Sequence, residues 1–191
     1  MRVGRLRLDG PPWLATVTTP GLGPDADDAA RMAWVAELVE RQVDEGTGGP
    51  FAAAVFDGMT GAVLGAAVNR VEATSTCIAH AEVLALAEAG QTLGHYTLIG
   101  RAAVLVTSTE PCAMCLGAVG WSGVDRVVCG ATDHDARAIG FDEGDKPPDW
   151  SAALERRGVA VATGLLRERI RAAMERYIAQ GGVVYNAAPL S

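Results

Sequence analysis

Hydrophobic residues in the first third of the chain change from a helical period to short apolar runs. Residues 25–45 carry apolar side chains at helical spacing with charges between them, which predicts a first helix. These apolar positions are Met32, Val35, Leu38, Val39 and Val43. Two apolar runs, residues 51–57 and 62–68, flank a Gly-Met-Thr-Gly turn and predict a β-hairpin.

Beyond the hairpin, stretches of strong helix formers alternate with short apolar runs. The pattern predicts helices over residues 79–90, 112–121, 150–157 and 165–179, and strands over residues 102–107, 125–129 and 159–162. Residues 130–148 are polar and contain glycine, so they predict a loop. The order α-ββ-α-β-α-β-α-β-α predicts an α/β fold, a three-layer α/β/α sandwich with a mixed five-stranded central sheet.

The two ends of the chain differ in composition from its centre. Residues 1–24 are rich in proline and glycine and predict an irregular N-terminal arm, laid over the domain or partly disordered. Residues 25–191 show neither an internal repeat nor a dividing linker, so we predict one domain there.

The composition of the chain limits the kinds of partner that we expect it to bind. Hydrophobic residues make up 49% and charged residues 20%, which is typical of a globular protein. No apolar run approaches the roughly 20 residues of a membrane helix, and the N-terminus lacks the apolar core of a signal peptide. We therefore expect no membrane partner and a cytoplasmic location. A net charge of −7 argues against nucleic acid as a partner, since phosphates would be repelled.

Two short motifs about thirty residues apart carry the candidate chemistry. The first is His80-Ala81-Glu82, and the second is Pro-Cys-Ala-Met-Cys at residues 111–115. A close Cys-x-x-Cys pair is either a redox pair or half of a metal site, and the upstream histidine favours the metal. His80, Cys112 and Cys115 supply three ligands for Zn²⁺ and leave a fourth position open, which is the pattern of catalytic zinc.

The spare carboxylate of Glu82 indicates what such a site would do. Both motifs begin predicted helices, where the positive helix end favours the thiolate form of cysteine. Zinc with three protein ligands lowers the pKa of water toward about 7. Glu82 can accept the water proton and return it to a leaving amine, so the predicted reaction is hydrolytic deamination. A non-enzymatic alternative is a structural zinc module, for which Cys77 is the nearby candidate fourth ligand and Glu82→Gln would be silent.

His-x-Glu followed by Pro-Cys-x-x-Cys resembles the signature of the cytidine/deoxycytidylate deaminase superfamily of zinc enzymes. The likeness covers residues 26–187 and implies the cytidine deaminase-like fold. Within that superfamily the chain looks most similar to the bacterial zinc-dependent guanine deaminases. The stretches that carry this similarity are residues 49–51, 69–70, 80–82, 109–118, 121–123, 139–144 and 182–186.

The resemblance implies a reaction, guanine to xanthine plus ammonia, and roles for further residues. Asn69 would bind the nucleobase. Glu143, or as a second choice Asp142, would be a second proton shuttle to the leaving amine, since two carboxylates can divide the proton transfers. The other predicted substrate contacts are Ala81 and the aromatic residues Phe51, Trp121, Phe141 and Tyr185. The family is usually dimeric, and exchange of C-terminal segments would place Tyr185 near a neighbouring site.

Several alternatives stay open on the sequence. The ring could instead be cytosine, cytidine, guanosine or ammeline, because pocket shape decides such choices. A tRNA adenosine deaminase shares both motifs, although the acidic charge argues against it. Without the resemblance, Asn69 reads as a turn residue, the acidic run at 142–145 as a solvated loop, and Trp121 as either core or pocket wall.

Overall fold

The computed structural model describes residues 7–186 and contains one five-stranded mixed sheet. The strands are β1 (Ala52–Phe56), β2 (Val63–Val68), β3 (Val104–Thr109), β4 (Arg126–Ala131) and β5 (Ala160–Ala162). Their order across the sheet is β2-β1-β3-β4-β5. β1 runs antiparallel to both β2 and β3, whereas β3, β4 and β5 are parallel. The predicted α/β fold with a mixed five-stranded sheet is confirmed.

Seven α-helices surround this sheet in the described part of the chain. They are α1 (Asp28–Asp44), α2 (Val71–Thr74), α3 (Ala81–Leu93), α4 (Ala113–Ser122), α5 (Asp133–Ala138), α6 (Trp150–Glu155) and α7 (Arg167–Ala179). Helices α1 and α7 share one hydrophobic cluster with one face of the sheet, and α3, α4 and α6 share another with the opposite face. Among residues 7–186, no helix has both the length and the apolar composition that a membrane crossing requires.

The short helices α2 and α5 were not predicted. Helix α5 replaces part of the loop expected over residues 130–148. A capping box starts α5: the Asp135 amide donates to Thr132 Oγ1 at 3.3 Å, and the Thr132 amide donates to Asp135 Oδ2 at 2.8 Å. This Thr-x-x-Asp signal is readable in the sequence. The loop prediction was therefore wrong over residues 133–138, because a short polar helix lacks the apolar period that marks longer ones.

The described part of the N-terminal arm is not wholly irregular. Residues Pro12–Thr16 form a 3-10 helix, and Trp13 is buried in the cluster of α1 and α7. Its indole Nε1 donates to Thr47 Oγ1 at 3.0 Å. Residues 1–6 of the predicted arm and 187–191 of the predicted domain lie outside the described residues, and the boundary at residue 24 stays a prediction.

Small residues let α3 lie directly on the sheet. Ala81, Ala85 and Ala89 are fully buried along one side of this helix. Opposite them, a Cβ added to Gly65 of β2 would collide with the carbonyl oxygen of Ala85 and lie 2.7 Å from the amide nitrogen of Ala89. The helix that begins just after His80 is thus seated by backbone contact.

Candidate active site

Two helices begin at the same place, and each begins with a candidate metal ligand. His80 is the N-cap of α3 and Cys112 is the N-cap of α4, both in extended backbone conformations. Neither side chain caps its own helix, so both are available to a shared ligand. Cys115 lies in the first turn of α4 and is fully buried.

The three candidate ligands come together as a zinc site requires. His80 Nδ1 lies 3.5 Å from Cys112 Sγ and 3.7 Å from Cys115 Sγ, and the three ligand atoms all lie within 4.8 Å of one another. Tetrahedral zinc with ordinary bond lengths separates its sulfur and nitrogen ligands by about 3.6 Å. Hydrogen bonds from Cys115 and His80 lower the pKa of Cys112 to about 4, which favours the thiolate that zinc binds. The predicted Zn²⁺ ligands therefore fit the ion.

The structural-zinc alternative needs a fourth protein ligand. Among the residues that the structure describes, Cys77 does not join the group of ligand atoms formed by His80, Cys112 and Cys115. It lines the adjoining pocket instead and is exposed. Three ligands beside an open cavity match the catalytic rather than the structural pattern.

A cavity of about 400 Å³ opens beside this ligand cluster. Most of the residues predicted as site residues line it, namely Phe51, Asn69, His80, Glu82, Cys112, Phe141, Asp142, Glu143 and Tyr185. They come from six separate stretches of the sequence. This volume lies within the range of pockets that enclose small ligands.

Two buried carboxyl groups share the cavity. Glu82, in the first turn of α3, and Glu143, in the loop before α6, are each 7% exposed. Burial and the nearby Cys112 raise the pKa of Glu82. Burial, then the charges of Cys112 and Glu82, raise the pKa of Glu143 to about 8. Both groups therefore hold a proton more readily than a solvated carboxylate does.

Asp142, the neighbour of Glu143, serves the shape of its loop. Its Oδ1 accepts a hydrogen bond from the Gly144 amide at 2.9 Å and lies 3.6 Å from Arg137 Nη1. The side chain is 58% exposed. Glu143 rather than Asp142 is the buried carboxylate of this loop.

The far wall of the cavity is aromatic. The ring centroids of Phe51 and Phe141 are 5.0 Å apart, and those of Phe141 and Tyr185 are also 5.0 Å apart, both in edge arrangements. Asn69 is buried beside them, and its Oδ1 accepts from the Val71 amide at 3.1 Å. The buried Tyr185 hydroxyl has no hydrogen-bond partner among the described residues. Flat apolar walls with a few polar groups suit an aromatic heterocycle.

Two predicted substrate contacts lie elsewhere. Trp121 is 88% exposed and does not line the cavity, because eight residues of α4 carry it about 12 Å from the end that faces the ligands. Ala81 is fully buried against the sheet, where it packs in the cluster under α3. Trp121 is thus not brought to the cavity of its own chain, and its stacking on the base stays a prediction.

The C-terminal segment lies on its own chain's pocket. Asn186 Oδ1 accepts from the Asp142 amide at 2.9 Å, and Asn186 Nδ2 donates to the Gly140 carbonyl at 2.9 Å. Tyr185, the preceding residue, is thereby held over the cavity of this chain. Sequence reasoning also missed several residues that line the cavity: Val71, Cys77, Thr109, Glu110, Ala113, Met114, Gly144 and Asn186. Of these, Glu110 had a signal, since it directly precedes the Pro-Cys motif.

Comparisons with known proteins agree with this geometry. The family model described as the cytidine and deoxycytidylate deaminase zinc-binding region matches residues 26–131. The guanine deaminase of Bacillus subtilis (strain 168) is 39% identical over 113 residues, which are 56% of this chain and 70% of that protein.

Solved structures extend the similarity over nearly the whole chain. A guanine deaminase from Nitrosomonas europaea is 44% identical over 92% of this chain and 97% of its own, with a TM-score of 0.85. A mutant of a protein designated NE0047, in complex with 8-azaguanine, is 43% identical over 94% of this chain and 99% of its own, with a TM-score of 0.87.

Proposed function

Because this chain belongs to the cytidine and deoxycytidylate deaminase family, we propose that it hydrolyses guanine to xanthine and ammonia. One observation carries the proposal: a single cavity holds three zinc ligands, two buried carboxyl groups and an aromatic wall. The similarity to guanine deaminases, and to a protein that binds 8-azaguanine, selects guanine among aminated rings.

His80, Cys112 and Cys115 would hold the zinc ion. When bound, zinc polarises a water molecule and lowers its pKa toward about 7. Once they bind the ion as thiolates, Cys112 and Cys115 would bring negative charge into the site, which suits a divalent cation. The imidazole and the two thiols are presented from helix N-termini that the sheet holds in register.

The reaction joins a water oxygen to the ring carbon that carries the amino group and breaks the bond from that carbon to nitrogen. Glu82 accepts a proton from water and passes it to a ring nitrogen. Glu143 gives its proton to the amine, which leaves as ammonia, and recovers one from the new hydroxyl as the carbonyl forms. Both carboxyls end as they began, and the two water protons end on ammonia and on the ring.

The aromatic wall of the cavity would bind the ring of the substrate. Asn69 Oδ1 is engaged by the Val71 amide, which leaves the amide nitrogen of Asn69 to donate to a ring acceptor. Phe51, Phe141 and Tyr185 enclose the flat faces, and the buried Tyr185 hydroxyl gains a polar partner when the ring is present.

We further propose that the chain forms a homodimer in the cytoplasm. Along α4, Trp121 is 88% exposed and Met114, which also lines the cavity, is 36% exposed, with open space at Gly117 between them; exposed apolar residues of this kind favour association. Tyr185 and Asn186 lie on the pocket of this chain, and exchange of C-terminal segments between subunits stays a prediction. Two thiol ligands for a metal suit a reducing compartment. Sedimentation of the wild type and of Trp121→Glu tests the dimer: a monomeric wild type contradicts it.

The reaction is tested with zinc-loaded protein and a panel of rings assayed for ammonia release. We expect turnover of guanine to exceed that of cytosine, cytidine, guanosine and ammeline. Glu82→Gln should keep zinc and fold and lower kcat by about 10²–10⁴-fold, the usual range for a lost acid–base group. Glu88→Gln, the same change at an exposed position of α3, is the matched control and should be silent, because the glutamine oxygen can still accept the hydrogen bond that the Ala66 amide donates to Glu88 Oε2 at 2.8 Å. Equal rates for Glu82→Gln and wild type would remove the acid–base role, and activity on another ring alone would remove guanine.

A further inference from the structure

Lys146 is the only lysine of the chain, and its side chain is 7% exposed. Its ammonium lies 3.3 Å from Glu110 Oε2, 3.1 Å from Asp133 Oδ1 and 5.1 Å from the centroid of the Trp150 ring. Lysine is rarely buried without a partner, because its charge is expensive to remove from water. A lysine enclosed by two carboxylates and an aromatic ring is therefore built into the structure rather than left on its surface.

These contacts join three segments that border the active site. Glu110 lies two residues before the zinc ligand Cys112, Asp133 opens α5, and Lys146 follows the loop that carries Glu143. Glu110 Oε2 also accepts from the Asp133 amide at 3.1 Å. A single ammonium thus ties the Glu143 loop to the zinc-binding segment and to α5.

The same loop is tied on its other side by backbone contacts. The Glu143 carbonyl accepts from the Ala113 amide at 3.0 Å, and the Gly144 carbonyl accepts from Arg137 Nη2 at 2.8 Å. At Gly144, where φ is +70°, an added Cβ would lie 3.1 Å from the Ala113 Cβ, so the loop approaches α4 closely. Glu143 lies between these contacts and Lys146, which leaves its backbone little freedom.

We propose that Lys146 is a positioning residue that holds the Glu143 loop so that the Glu143 carboxyl reaches the leaving amine. The inference rests on the proposed role of Glu143 as the group that protonates that amine. Lys146 does not line the cavity itself and acts through the loop. Arg137 alone cannot hold the loop in place of Lys146, because its guanidinium already forms an ion pair with Asp133 at 2.7 Å.

The primary test is Lys146→Met, which keeps much of the apolar stem and removes the charge. We expect kcat for guanine to fall about 10- to 100-fold, since displacement of a reacting group by about 1 Å can cost 10²-fold. KM should stay within about threefold and zinc at one per chain, because the ring-binding wall and ligand cluster are not altered. Arg156→Met is the matched control: it removes an ion pair whose side chains are 65% and 61% exposed and should leave kcat unchanged.

A double-mutant cycle with Glu143→Gln separates positioning from general stabilisation. If Lys146 acts through Glu143, Lys146→Met lowers kcat in the wild type but adds little in the Glu143→Gln background. The same fold-loss in both backgrounds would overturn the positioning role. A Glu143→Gln variant with wild-type kcat would instead overturn the proposed role of Glu143, so the two failures are distinguishable.

Lys146→Met leaves Glu110 and Asp133 without their shared cation, so it can fail to fold. In that case Asp133→Asn serves in the same cycle, because it weakens the hold on Lys146 while the lysine stays in place. We expect a smaller kcat loss than for Lys146→Met, again absent in the Glu143→Gln background. An additive loss, or no loss in a folded zinc-loaded protein, counts against the proposal.

Discussion

The packing under α1 and α7 differs from the packing at the place on the opposite face of the sheet where α3 meets β2. On the face covered by α1 and α7, the fully buried residues are large, among them Met32, Leu38, Phe56, Ile170 and Met174. On the opposite face, where α3 meets β2, the contact is made by Ala81, Ala85, Ala89 and Gly65.

This difference assigns different tasks to the two faces. Stabilisation by burial grows with apolar area, so the large residues beside α1 and α7 contribute most per side chain. Alanine and glycine contribute less area, but they seat α3 by backbone contact and leave it little room to shift. Because His80 and Glu82 lie at the start of α3, the small residues determine where the chemistry is held.

The largest expected loss of stability comes from the face with large residues. Leu38→Ala should lower the free energy of unfolding by about 2–5 kcal/mol, because it removes buried methyl groups and leaves a cavity. Zinc per folded chain and kcat for guanine should be unchanged, since α1 carries no site residue. Urea unfolding, metal analysis and ammonia release check the three quantities. A loss of kcat in the folded variant would contradict the separation of tasks.

A smaller loss of stability with a larger effect on the site is expected at Gly65. Gly65→Ala places a Cβ against the Ala85 carbonyl and the Ala89 amide, and backbone cannot rotate away as a side chain can. We expect a loss of about 1–3 kcal/mol from overpacking and weaker retention of zinc, since His80 moves with α3.

Gly117→Ala is the control for that substitution. Its added Cβ meets nothing within 4 Å, and the residue lies in the middle of α4. Alanine should stabilise the helix there by up to about 1 kcal/mol and leave zinc retention unchanged. Equal zinc retention in both variants would show that close seating of α3 does not fix its ligand.

The smallest expected effect is a pH-dependent loss of stability at the ion pair between Asp135 and Arg167, the first residue of α7. The Arg167 guanidinium, hydrogen-bonded at 2.7 Å and 2.8 Å, holds the pKa of Asp135 well below its ordinary value. The stability that Asp135 adds is therefore present above its unfolded pKa of about 3.9 and is lost as pH falls through the folded pKa. Asp135→Asn should cost about 1 kcal/mol near pH 7, with no change in kcat.

Urea unfolding of both proteins from pH 7 down to pH 3 tests this sign. The difference in unfolding free energy between wild type and Asp135→Asn should shrink below about pH 4, where Asp135 of the unfolded wild type begins to protonate while the folded protein still holds it ionised. A gap that is constant or grows toward acid pH would assign the effect to packing rather than to the ion pair.

The sequence predicts most of the features that depend on residues close together in the chain. The ligands His80, Cys112 and Cys115 and the carboxylate Glu82 belong to two local motifs, and the order of the long elements follows from their apolar periods. The predicted site roles beyond the ligands stay predictions, although the cavity brings most of those residues together.

What the sequence could not predict depends on residues far apart in the chain. Lys146 meets Glu110 across 36 positions, and nothing in either local stretch indicates the pairing. Gly65 reads as an interruption in a strand until α3 is placed upon it. The distance of Trp121 from this chain's cavity follows from the length of α4, which separates it from the ligands in the same motif.

The hydrogen bonds of Asn186 also imply a population of open molecules. Two hydrogen bonds hold Asn186 to the 140–142 loop. Each makes a net contribution of about 1 kcal/mol. Breaking both costs about 2 kcal/mol, and the packing of Tyr185 on Phe141 must be lost as well, so at most about one molecule in thirty has the segment released at any moment. If guanine enters only through that minority, its observed association rate is lower than the intrinsic rate by the same factor, while the affinity of the closed complex is unchanged. Asn186→Ala would then bind guanine faster and release xanthine faster, with the chemical step unchanged.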